Sequence, residues 1–127
     1  IKGLHILLAE DNELNMEIAE FMLQNEGADV TKAWNGREAV EIFRKSEPDE
    51  FDVILMDIMM PVMNGYEATK MIRSLEREDA KVIPVIAMTA NAFTEDRLKA
   101  KEAGMDEHIA KPVDPELLVK VIYESVD

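Results

Sequence analysis

Short strand-like runs and helical stretches alternate five times along this chain, and that alternation narrows the possible folds more than anything else in it. The runs lie at 4–9 (LHILLA), 28–33, 51–56 (FDVILM), 82–88 (VIPVIAM) and 107–110. Between the first two, residues 13–26 have helical period, with Leu14, Ile18, Phe21 and Met22 on one face, and Gly27 stops them. Residues 36–45 form a second helix that buries Ala39, Val40 and Phe43. Asn64-Gly65 marks a turn before a third helix at 66–76. A fourth helix spans 93–103 and ends at Gly104. The last is capped by Asp114, carries Pro115 in its first turn and buries Leu118, Val121 and Ile122. The second run is polar enough to be an edge strand. Pro84 weakens the fourth run, because it donates no ladder hydrogen bond. Apolar strands alternating with helices call for a parallel sheet covered on both faces. Right-handed crossovers leave few doubly wound arrangements of it.

The 127 residues suit one compact domain, taken here as 1–127, and a 47% hydrophobic content supplies a core. Nothing in the chain is apolar for long enough to span a bilayer. Lys2 and His5 break the early apolar run, so no signal-peptide pattern opens it. With no cysteine, disulfides and thiolate metal sites are excluded, and a cytosolic setting fits. The formal net charge of −13 includes no basic stripe of the kind a nucleic-acid surface needs. Solvated helix faces account for most of the acids. The chain opens at Ile1 rather than methionine, so a piece of a longer protein or a processed form is expected.

In an open parallel sheet, ligands bind beyond the carboxyl ends of the strands. Glu10 and Asp11 follow the first run, Asp57 the third, Thr89-Ala90 the fourth and Lys111-Pro112 the fifth. Taken singly, each has an ordinary explanation: Asp11 as a helix cap, Glu10 and Lys111 as loop charges, Thr89 as a turn hydroxyl. Asp57 is harder to dismiss, because it ends the most apolar strand and a buried carboxylate without a partner is costly. Three carboxylates brought together repel unless a cation intervenes. Mg²⁺ suits a set of hard oxygen ligands, and Mn²⁺ is also admissible. Such an ion attracts phosphoryl oxygens. Lys111 could then pair with one phosphoryl oxygen, Thr89 could donate to another, and Asp57 could act as nucleophile to form an aspartyl phosphate.

The stretches ILLAEDNELN (6–15), FDVILMDIMMPVMNGYEAT (51–69), VIAMTANA (85–92) and GMDEHIAKPV (104–113), in this order and spacing, resemble the receiver domain of two-component response regulators. The resemblance covers essentially the whole chain. It implies an α/β fold, a (βα)5 doubly wound five-stranded parallel sheet of order 2-1-3-4-5, flavodoxin-like. It makes Asp57 the phospho-acceptor, and it gives Mg²⁺ to Glu10, Asp11, Asp57 and the backbone carbonyl of Met59. Thr89 becomes the switch hydroxyl with the Ala90 amide beside it, and Lys111 the phosphate-binding lysine, often joined to its proline by a cis bond. His108 stands where many receivers place an inward-turning tyrosine or phenylalanine. Local packing is the expected role of that imidazole. Met59 and Asn91 occupy positions that tune water access to the phosphoryl group. An apolar Met59 cannot orient water, so slow to intermediate hydrolysis is expected.

The same motifs look most like receivers attached to hybrid sensor histidine kinases, with a stand-alone response regulator as the alternative. The implied partners are a histidine kinase dimerisation domain or a histidine phosphotransfer domain, with no nucleic acid or membrane contacted by this domain. The parent chain could itself be membrane-anchored. Asn15, Met16, Ala19 and Met22 on the first helix are the candidate partner-selecting residues. A Mg²⁺-dependent aspartyl-phosphate phosphatase is the rival enzyme. It would need a second aspartate two residues past Asp57, where Met59 stands, and a cap over its pocket. A nucleotide site would need a glycine-rich loop after the first strand, and EDNEL is not one. A non-phosphorylated interaction module is disfavoured because every acceptor-site residue is present.

Overall fold

The computed structural model describes residues 2–90 and 94–126, with the side chains of 94–96 left aside. The expectation for Asn91, and the Phe93 start of the fourth helix, lie outside the described residues. Five parallel strands, β1 (His5–Ala9), β2 (Asp29–Ala33), β3 (Val53–Asp57), β4 (Val85–Thr89) and β5 (Glu107–Ala110), form one sheet in the order β2-β1-β3-β4-β5. The helices are α1 (Glu13–Asn25), α2 (Gly36–Lys45), α3 (Gly65–Arg73), α4 (Glu78–Val82), α5 (Thr94–Ala103) and α6 (Pro115–Ser125).

Alternation along each strand sends side chains to opposite faces. Leu7, Ile54, Met56, Val85 and Ala87 pack beneath Ala39, Val40 and Phe43 of α2 and Ala68 and Ile72 of α3. Ile6, Leu8, Leu55, Ile86 and Met88 pack beneath Met16, Ala19 and Leu23 of α1 and Leu118 and Ile122 of α6. The central strand β3 is buried at every position. Strands β1, β3 and β4 are dry on both faces and carry their polar residues at their ends, whereas the edge strand β2 exposes Asp29, Thr31 and Lys32.

One boundary and one helix face differ from expectation for physical reasons. The fourth strand starts at Val85, not 82, because Pro84 ends the approach and residues 78–82 wind into the unanticipated α4. That extra helix is tied down by two arginines. Arg73 donates to the carbonyls of Ala80 and Gly104 and to Asp106 Oδ2. Arg77 lies 4.7 Å over the Phe43 ring and grips Asp79 at 2.6 and 2.9 Å. On α1, Leu14, Ile18 and Phe21 do share a face, but it is the solvent face, 63%, 45% and 71% exposed. A second apolar stripe, Met16, Ala19 and Leu23, reaches the core. Met16 is therefore a core residue rather than a partner-selecting one, Ala19 is buried but lines a surface cleft, Asn15 is exposed and Met22 half-buried.

Candidate phosphoryl-acceptor site

Strand ends supply the site. Asp57 is the last residue of β3 and is 4% exposed. Glu10 leaves β1 at 2% exposure, its amide donating to the Ala33 carbonyl at 3.0 Å. One Glu10 oxygen, Oε2, accepts from the Asn12 amide at 3.0 Å, and Asn12 in turn caps α1 through the Asn15 amide. Asp11 is exposed beside it. Carboxylate oxygens of Glu10, Asp11 and Asp57 all lie within 4.8 Å of one another.

Lys111 reaches in from the end of β5. Its Nζ lies 2.7 Å from Glu10 Oε1 and 3.0 Å from Asp57 Oδ2. Its amide donates to the Thr89 carbonyl at 2.7 Å, and the Lys111-Pro112 bond is cis. Thr89 closes β4, 6% exposed, one residue beyond Met88, which lies opposite Asp57. Ala90 is exposed just beyond it. Met59 sits on the loop past Asp57 with its side chain 74% exposed, so backbone is what it can offer the site. His108 is half-buried, lies opposite Ala87 and lines a groove with Ala100, Lys101 and Gly104 of the α5 region.

The charges here are strained. Burial, offset in part by the Lys111 hydrogen bond and reinforced by the nearby Glu10 charge, pushes the Asp57 carboxyl up to about 7. Burial also works against Glu10, but the Lys111 ammonium and the Asn12 amide hold its carboxyl below the usual range. Burial would lower Lys111, yet its hydrogen bonds to Glu10 and Asp57 raise it. Among the described residues, the Lys111 ammonium pairs with two of the three clustered carboxylates, Glu10 and Asp57. The deficit of positive charge and the all-oxygen donor set fit a hard divalent cation.

The sequence had not exposed the scaffold behind Asp57. Gly65 opens α3, and a Cβ there would collide with the Asp57 carbonyl oxygen and lie 3.0 Å from the Ile58 Cα. Its amide donates to the Ile58 carbonyl at 2.8 Å. The NG dipeptide read as a turn is an N-cap followed by a residue that must be glycine.

Beside the site, a cleft of about 420 Å³ is lined by Asn15, Ile18, Ala19, Met22, Met88, Pro112 and Val113, together with Glu10 and Lys111. Ile18 of the exposed α1 stripe thus borders this cleft.

Residues 6–123 match the response regulator receiver domain family. The chain is 40% identical over 123 residues, 95% of its length, to hybrid signal transduction histidine kinase I of Dictyostelium discoideum, but spans only 7% of that protein. The receiver domain of a Pseudomonas aeruginosa sensor histidine kinase, solved with magnesium in its active-site cleft, shares 38% identity at a TM-score of 0.88, covering 98% of both chains. A co-crystal structure of a Saccharomyces cerevisiae histidine phosphotransfer protein with the receiver domain of its downstream response regulator matches at 31% identity and a TM-score of 0.87. That match covers 98% of this chain and 90% of the other.

Proposed function

The chain belongs to the response regulator receiver domain family, and on that premise we propose that Asp57 accepts a phosphoryl group from a partner's phosphohistidine. The observation that carries the reading is the pairing of Lys111 with both Glu10 and Asp57 inside a three-carboxylate cluster at the carboxyl edge of the sheet. Mg²⁺, or Mn²⁺ in its place, would be held by Glu10, Asp11, Asp57 and the Met59 carbonyl, and supplies positive charge to the phosphoryl oxygens.

An Asp57 carboxylate oxygen attacks phosphorus. The P–O bond forms as the P–N bond to the partner's imidazole breaks, and the imidazole leaves with a proton from solvent. Lys111 shifts from the Asp57 carboxylate to a phosphoryl oxygen. The Thr89 hydroxyl and Ala90 amide donate to others. The phosphoryl group carries a charge of about −1.5 to −2 in place of the carboxylate's own −1. Drawing Thr89 and Lys111 inward biases the loops after β4 and β5, which alters the partner surface there. Met59 offers water no hydrogen bond, so hydrolysis is slow to intermediate.

The stripe of Leu14, Ile18 and Phe21, with the adjoining cleft, is where we place the phosphotransfer or kinase dimerisation domain. Its exposed Ile18 borders the cleft that Glu10 and Lys111 also line, and the similar yeast receiver is seen with such a protein. We place the domain in the cytoplasm, as part of a hybrid sensor histidine kinase. Among the described residues no helix is long and apolar enough to cross a membrane. The test is intact mass after incubation with a small phosphodonor. One phosphoryl group should be added, dependent on Mg²⁺ and absent in Asp57→Asn. No addition with Mg²⁺ bound would refute autonomous acceptance.

A further inference from the structure

Two Asn-Gly pairs open two neighbouring helices. Asn35 caps α2 and Asn64 caps α3, each accepting from the amide three residues on, and each is followed by glycine at the first helical position. Glycine costs a helix stability relative to alanine, so its use there needs another cause. For Gly65 the cause is the Asp57 carbonyl, as above. For Gly36 it is the far end of the same loop. A Cβ on Gly36 would collide with the Met63 carbonyl oxygen and come within 2.9 Å of its carbon and 3.0 Å of the Asn64 oxygen. All three are backbone atoms, which cannot swing aside. Across that close approach the Gly36 amide donates to the Met63 carbonyl at 3.0 Å. The Met63 amide donates to the Pro61 carbonyl at 2.7 Å, and the Gly65 amide to the Ile58 carbonyl at 2.8 Å. The loop from Asp57 to Asn64 is thus held at its near end by α3 and at its far end by α2.

We infer that Gly36 is a positioning residue for the acceptor site: its missing Cβ lets the α2 N-terminus hold the Met63 carbonyl, which fixes the 58–64 loop, and with it the Met59 carbonyl, against Asp57. The inference rests on the proposed function for the purpose the loop serves, but the clamp itself is independent of it. Gly36 touches neither the carboxylates nor Lys111. It acts through the loop, so loosening it lowers metal affinity while leaving the acceptor chemistry in place.

The experiment compares the whole chain with Gly36→Ala and with Gly27→Ala. Gly27 lies at φ 90°, so alanine strains it, and it is remote from the site, which makes it a control for lost stability alone. Amide exchange is followed in metal-free protein, and Mg²⁺ binding by calorimetry. Gly36→Ala should speed exchange at Ile58, Met63 and Gly65 at least tenfold and weaken Mg²⁺ binding about tenfold. Gly27→Ala should leave both unchanged. Equal loop exchange and Mg²⁺ affinity within twofold in Gly36→Ala would overturn the inference, as would the same loss in Gly27→Ala. Should Gly36→Ala not fold, wild type decides: Mg²⁺ must slow exchange at the Gly36 amide together with Gly65, and an unchanged Gly36 overturns the clamp. A wild type that binds no Mg²⁺ refutes the proposed function instead, and the metal-free exchange comparison then judges the clamp alone.

Discussion

Replacing Asp57 by asparagine should stabilise the metal-free protein while abolishing its chemistry. Asp57 is 4% exposed, close to Glu10 and Asp11, and its carboxyl is raised from 3.8 to about 7. A folded-state value above the unfolded one means that the native state holds the proton more tightly. The penalty for ionised Asp57 is therefore absent below about pH 4, grows as pH rises and is complete above about pH 7. At about 1.4 kcal/mol per tenfold change in proton affinity, the ceiling is about 4 kcal/mol. Asparagine keeps the shape, and Lys111 keeps Glu10 at 2.7 Å. That ceiling already includes the Lys111 hydrogen bond, and an asparagine amide left short of partners beside the ammonium takes back about 1–3 kcal/mol of it. The net expected gain is about 1–3 kcal/mol at pH 8, or about 3–12 °C in Tm for a domain of this size. Thermal melts in chelator at pH 5 and pH 8 should show the gain at pH 8 and less than half of it at pH 5. Added Mg²⁺ should stabilise wild type more than the variant. A variant that melts at or below wild type at pH 8, or gains equally at both pH values, would refute the electrostatic reasoning.

Lys111→Met removes the ammonium from two buried carboxylates and should cost about 2–4 kcal/mol at pH 8 in chelator, measured by urea unfolding. Mg²⁺ should restore more stability to this variant than it adds to wild type. Phe21→Glu, on a side chain 71% exposed, should leave small-donor phosphorylation intact and slow transfer from a phosphohistidine partner at least tenfold, followed by label transfer on gels. Val62 lies at φ 69°, a conformation costly for a β-branched residue. Val62→Gly should raise Tm by about 2–4 °C, for a relief of roughly 1 kcal/mol offset in part by unfolded-chain entropy.

Much of this was legible in the residues because strand ends and apolar runs are local signals. VILMD had to be a buried strand with its charge at the exit, and that is where β3 places Asp57. Glu10, Thr89 and Lys111 followed from the rule that the carboxyl edge of such a sheet binds ligands, and the sheet brings all four together. Periodicity alone could not separate the two apolar stripes of α1. Leu14-Ile18-Phe21 and Met16-Ala19-Leu23 have similar spacing, and only the packed sheet decides which is inside. The α4 turn escaped because EDAKV carries no strong helical pattern and is secured by Arg73 and Arg77 from outside it. The glycine clamp escaped because the fault a Cβ would cause lies in the backbone of a loop some thirty residues away in sequence.

The central claim is that one carboxylate among three is the nucleophile. After treatment with a small phosphodonor and Mg²⁺, borohydride reduction converts an acyl phosphate to the corresponding alcohol, and peptide mass mapping locates it. The account predicts conversion of Asp57 to homoserine, with Glu10 and Asp11 untouched and nothing converted when Mg²⁺ is withheld. Reduction at Glu10 or Asp11 instead, or reduction at Asp57 that does not require Mg²⁺, would contradict it.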